Sequence, residues 1–243
     1  MAVSHVLVSA LGRRRGDSSV HAALRRCRNC RGAFPMVEIN LPATILKDHA
    51  IAERVREQRM AVEVGTGADV AVALAAGIHP SRMTVHADGL DDAELSRVVQ
   101  LGVGRMVLSS ARQADLVAAA GLGRRQSVLL RLTGWASADV AELMGVLRVN
   151  LAGLHGDLGP DDPAGDSRAA AIAHLVAEMA LIGRRHGMVL GRLGLGIPSA
   201  NWAEDLAVLV GGVDGSADDA CASLRFPRPL VALSAGTGSA IAG

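Results

Sequence analysis

FPMVEIN, residues 34–40, is the stretch whose reading decides the fold. Apolar β-formers lead into Glu38, Asn40 follows two positions on, and Pro42 ends the run, so side chains 36, 38 and 40 share one face of a strand. If that face points into a barrel, Glu38 stands at the mouth where barrel enzymes keep their chemistry. Outward from this stretch the chain repeats one layout. A helix over 18–31, opened by Ser18, precedes the strand, and a helix over 43–58 follows it. Further strands are predicted at 60–66, 82–88, 105–110, 127–134, 151–159, 188–196 and 228–236. Helical segments separate them at 67–77, 91–102, 111–123, 137–148, 167–185 and 202–210, the last running into a loose polar segment through Ala222. Eight strands alternating with helices predict a (β/α)8 TIM barrel filling one domain, 1–243, with an open doubly wound sheet as the rival.

Half of the 243 residues are hydrophobic, yet there are only two Phe, two Trp and no Tyr, so the core is aliphatic, as a buried parallel sheet wrapped by Ala-rich helices requires. A net charge of +1 removes the electrostatic case for nucleic acid or an anionic membrane as partner. The N-terminal order, a short apolar run and then arginines, is the reverse of a secretory signal, and no apolar run approaches the roughly 18 residues of a membrane span. The expected location is cytoplasmic. Cys27, Cys30 and Cys221 are too few for a disulfide framework. Cys27 and Cys30 form a CxxC whose flanking arginines are expected to lower the thiol pKa, and without a second ligand pair it reads as two cysteines on a first helix. Among 25 basic residues there is a single lysine, Lys47.

The order of motifs resembles that of the fold type III, pyridoxal-phosphate-dependent decarboxylases, which include diaminopimelate and ornithine decarboxylases and share their barrel with alanine racemase. EVGTGADVAVALAAG, then TVHADGLDDAEL, then GVGRMVLSS are similar to the family's DVASGGELALALAAG, FHGNNKSDAEL and GVGRIVVDS. VLLRLTG resembles VLLRVNP, LAGLHGDLG resembles the GLHCHIGS strand, and LGLGIP and LVALSAG resemble the stretches around the glycine-rich phosphate loop and after EPGR. The resemblance implies an alanine racemase-type barrel, here without the family's C-terminal β-domain, and a homodimer. It also implies a lysine in the first strand, within AVKAN, that forms an imine with the cofactor. Glu38 stands at that position, Asp157 at that of the ring-stacking histidine, and Arg192, Leu193 and Gly194 at the three phosphate-loop glycines. A carboxylate cannot form an imine, and Lys47 lies in the following helix, so no cofactor is expected.

With the parity that turns Glu38 inward and the family register elsewhere, the inward polar set is Glu38, Glu63, His86, Asp88, Arg131, His155, Asp157 and Arg192. Glu38, His86, His155 and Asp157 are the general acid and base candidates, because carboxylates crowded in a partly dry pocket exchange protons near neutral pH. Glu63, Asp88, Arg131 and Arg192 are the substrate-binding candidates, the arginines anchoring a carboxylate or phosphate by bidentate bonds. Glu63 and Arg131 also read as an ion-pair network holding the strand ends together. The expected function is a cofactor-independent lyase, isomerase or cyclase acting on a small polar, anionic substrate. Its alternatives are a non-catalytic homologue that binds a metabolite or partner protein, and a metal-dependent hydrolase or lyase using the HxD pairs at 86–88 and 155–157.

Overall fold

The structure, a computed structural model, describes residues 17–121, 123–132, 149–158, 166–197 and 206–235. After helix α1 (Asp17–Ala33) come β1 (Val37–Pro42), α2 (His49–Glu57), β2 (Ala61–Val64), α3 (Gly67–Ala75), β3 (Met83–His86), α4 (Asp92–Leu101), β4 (Arg105–Leu108), α5 (Ala111–Ala120) and β5 (Ser127–Arg131). Then follow β6 (Asn150–Asp157), α6 (Asp166–His186), β7 (Arg192–Ile197), α7 (Leu206–Leu224) and β8 (Leu230–Ala235). All eight strands are parallel and ordered β1 to β8 in one closed barrel, the last pairing with the first through Val37 with Val231 and Asn40 with Ser234. Closure rules out the open-sheet rival.

Each strand alternates. Val62, Val64, Val85, Met106, Leu108, Leu193 and Leu195 are fully or almost fully buried and belong to the aliphatic layer with helix residues such as Val55, Ala73, Leu95, Val117 and Val213. The intervening positions carry the polar side chains, which meet one another across the barrel interior.

The predicted helix over 43–58 is split. Asp48 caps α2 by accepting from the amides of Ala50 and Ile51, and a 3-10 turn (Ala43–Lys47) bridges it to β1. The segment from 211 to 222, predicted as loose and polar, is the second half of α7, because Val213, Ala217, Ala220 and Cys221 recur at helical spacing and are buried. The helix predicted over 137–148 lies outside the described residues. Burial, and then Cys30, push the Cys27 thiol up to about 12, against the lowering expected from the nearby arginines. Among the described residues no helix is long and apolar enough to cross a membrane.

Candidate functional site

The eight candidates fall into two groups at opposite ends of the barrel. Glu63, His86, Arg131, His155 and Asp157 lie at or near the last residues of their strands, and Asp88 follows β3 directly. Glu38 and Arg192 stand at or next to the first residues of β1 and β7. Glu38 does turn inward, but four residues before the end of β1, roughly 13 Å down the strand. It pairs there with Arg105 (2.8 Å), the first residue of β4, and faces Arg192 at 3.8 Å. Placing Glu38 and Arg192 at the C-terminal mouth is therefore corrected, and Arg131 and Arg192 cannot hold one small anion between them.

At the C-terminal end the side chains form a continuous hydrogen-bonded chain. Arg131 Nη2 donates to His86 Nδ1 at 2.6 Å. Because a guanidinium has no acceptor, this ring nitrogen carries no proton, and His86 Nε2–H donates to Glu63 Oε1. Arg131 also pairs with Asp88 (3.2 Å) and faces Asp157 (Nε to Oδ2, 3.6 Å). Both terminal nitrogens of Arg131 have internal partners, which makes it the hub of the network, while its buried Nε stays outside hydrogen-bond reach of Asp157. His155 Nε2 lies 3.3 Å from Asp157 Oδ1, and its ring meets that of His86 edge to face with centroids 5.0 Å apart. The HxD strands are across the barrel from each other, yet their histidines touch at its centre.

The tight approach of β7 gives this arrangement its shape. A Cβ on Gly194 would stand 2.5 Å from His155 Nδ1, and one on Gly196 would stand 2.2 Å from Asp157 Oδ1. These glycines, predicted at a strand end, with Gly194 at a phosphate-loop position by the resemblance, are the wall against which the His155 and Asp157 pair rests. Two partners were missed in the sequence. Ser109 and Gln113, just after β4, both donate to Asp88 Oδ1, Gln113 at 3.0 Å. Their signal was present, since a polar pair after a strand end is where HAD and HGD also fall.

Electrostatics separate the groups. Burial lowers the His155 pKa against the opposing hydrogen bond to Asp157, so its neutral form is favoured. Burial pushes the Asp157 carboxyl up, but the hydrogen bond from His155 and the positive charge of Arg131 outweigh it and leave the group below the usual carboxylate range. Glu63 and His155 are buried, whereas the Asp88 and Asp157 side chains are 39% and 46% exposed and form the solvent-facing rim. Among the described residues, then, three carboxylates surround one guanidinium at this end. Two buried acceptors, Glu63 Oε2 at this end and Asn40 Oδ1 midway along β1, and one buried donor, Arg131 Nε, are without a hydrogen-bond partner. No group of three or more His, Cys, Asp or Glu among the described residues is arranged to hold a metal ion.

The imine-linked cofactor implied by the resemblance needs an amine inside the barrel. The one lysine, Lys47, is exposed at the end of the 3-10 turn after β1, and Glu38 is tied to Arg105 at the other end. These residues do not fit an imine-linked pyridoxal group.

Comparison with known proteins places the chain. The family described as Pyridoxal-dependent decarboxylase, pyridoxal binding domain, matches residues 20–146. Diaminopimelate decarboxylase of Mycobacterium tuberculosis is 34% identical over 122 residues, 49% of this chain and 27% of that protein. The Mycobacterium leprae enzyme is 35% identical over 122 residues, 49% of this chain and 26% of its own length. The match thus spans little more than a quarter of these relatives. Among solved structures, diaminopimelate decarboxylase from M. jannaschi superposes with a TM-score of 0.72 at 10% identity, covering 94% of this chain and 62% of that one. Ornithine decarboxylase from Entamoeba histolytica gives 0.70 at 14% identity, covering 87% and 62%. At such identities the structural likeness establishes the (β/α)8 barrel of the decarboxylase type. With just over half of its 243 residues matched, the chain belongs to the pyridoxal-dependent decarboxylase family through the pyridoxal binding domain.

Proposed function

We propose that the C-terminal end of this barrel binds a small amine and moves a proton on it through Asp157 and His155, without an imine. The observation that carries this is a pair of buried acceptors without hydrogen-bond partners, Glu63 Oε2 and, midway along β1, Asn40 Oδ1, beside a described network in which Glu63, Asp88 and Asp157 accompany the single guanidinium of Arg131. A buried acceptor costs about 1–3 kcal/mol when left unsatisfied, and a ligand bearing N–H donors supplies what these two lack. The charge balance turns the reading away from the anionic substrate expected from the sequence and towards a cationic one. Support comes from solved neighbours that were in complex with L-lysine, with putrescine and with agmatine. Arg131 and Glu63 hold His86 fixed. The neutral imidazole of His155, held by the ionised Asp157 carboxylate, then takes the proton as base and, once protonated, returns it as acid, which suits a lyase, isomerase or cyclase.

A second reading, a non-catalytic amine-binding homologue, is favoured by the engagement of His86 and Arg131 in internal pairs. One experiment separates the two. The protein is incubated in D2O with L-lysine, whose carboxylate acidifies the neighbouring C–H, and deuterium at that carbon is followed by mass spectrometry, with putrescine and agmatine as probes of binding alone. Proton transfer predicts incorporation into L-lysine, reduced about a hundredfold in Asp157→Asn with folding intact. Binding without incorporation leaves the non-catalytic reading, and absence of binding removes both.

A further inference from the structure

At the other end of the barrel a cavity of about 240 Å³ is lined by Glu38, Arg59, Ser81, Arg82, Arg105 and Arg192 together with the small residues that begin β2 and β5. Four guanidinia face one carboxylate there. They come from four separate segments: the turn after α2, the turn before β3, and the starts of β4 and β7. Ion pairs at the N-terminal face of a barrel ordinarily serve stability, but this set is not balanced. Arg105 donates to Glu38 Oε2 at 2.8 Å and to Thr84 Oγ1 at 3.2 Å, which uses the only carboxylate of the lining. Arg192 Nη1 lies 3.8 Å from the same oxygen, beyond hydrogen-bond reach, and is a buried donor with no hydrogen-bond partner.

The backbone adds a separate observation. Arg59 has φ of 50°, the left-handed region that favours glycine, at the end of the turn that closes α2. A bulky side chain in that conformation is strained, and such strain collects at ligand-holding sites. Here it brings a guanidinium to the rim of a cavity already rich in them. Burial and the neighbouring Arg59 charge lower the Arg82 pKa. Burial and Arg105 lower that of Arg192, with Glu38 opposing. Burial is the larger cause in both and a neighbouring guanidinium adds to it, and a bound anion offsets the second part.

We propose that this N-terminal cavity is a binding site for the phosphate group of a small ligand, with Arg82, Arg105 and Arg192 holding its oxygens and Arg59 closing the rim. Guanidinia arriving from separate directions suit a tetrahedral group with three free oxygens better than a planar carboxylate with two. The site is remote from the Asp157 end and rests on no assumption about it.

The test is calorimetric titration of the full chain at low salt with inorganic phosphate and with glycerol 3-phosphate, which separates free phosphate from a phosphate ester as the source. Arg82→Met and Arg192→Met are each expected to weaken binding of the tighter probe about tenfold or more. Glu38→Gln, which removes the competing carboxylate, is expected to tighten it severalfold. Thermal melts establish that each variant is folded, and if either arginine variant fails to fold, the other two carry the result. Absence of binding by both probes, affinities unchanged across the folded variants, or succinate binding as tightly as either phosphate would overturn the proposal.

Discussion

Neutral and buried, His155 couples the fold to pH in a definite direction. Its pKa in the folded chain lies below the ordinary 6.5, so the unfolded chain binds the extra proton. Its contribution to stability is therefore fully present above about pH 6.5 and is lost as the pH falls below it, by at most about 1.4 kcal/mol per pH unit. Urea unfolding between pH 8 and pH 5 measures the slope, which His155→Gln should flatten; an unchanged slope would mean the histidine is not held neutral. Arg131→Met removes the donor to buried His86 and the shared cation of the half-exposed Asp88 and Asp157, and should cost about 1–3 kcal/mol, read from the same unfolding curves. Gly196→Ala drives a methyl against Asp157 Oδ1, and ligand binding at that end should weaken more than stability does. Which face each of these side chains occupies was legible, because alternation along a strand fixes inside and outside. Which end it occupies was not, because a period of two carries no information about height. Glu38 and Arg192 were placed correctly as inward and wrongly as neighbours of Asp157 for that reason, and Arg105, which holds Glu38, went unread.

Among the elements, α4 was the most legible. Asp91 accepts from the Glu94 amide while the Glu94 side chain accepts from the Asp91 amide, and Gly102 closes the helix with φ of 75°. Asp91→Ala should remove about 1 kcal/mol and lower the melting temperature by about 2–4 °C in a domain of this size, as calorimetry would show. A loss below a few tenths of a kcal/mol would contradict the reciprocal cap. Elements whose ends lack such punctuation were read less well. The run from 43 to 58 has helical composition throughout, but Asp48 competes for the backbone and restarts the helix. In α7 the glycines and aspartates of 211–219 masked an apolar stripe set four and three residues apart. There Arg228, entering β8, pairs with Asp214 and Asp218 and fastens helix to strand.

Across the whole molecule, charge is segregated along the barrel axis although the chain is nearly neutral. Carboxylates predominate among the described side chains at the C-terminal end and guanidinia in the cavity at the N-terminal end. The fold was legible at this scale because eight weak strand signals in a fixed order constrain one another. The polarity was not, since it depends on register, which is set by strand pairing across the barrel. The claim that the C-terminal end accepts a cation without an imine is tested most directly by calorimetric titration of putrescine against succinate, with wild type and Glu63→Gln compared after melting curves confirm folding. An amine site predicts that putrescine binds, that Glu63→Gln weakens it about tenfold, and that succinate does not bind at that end. Succinate binding that Glu63→Gln strengthens, with putrescine inert, would contradict it.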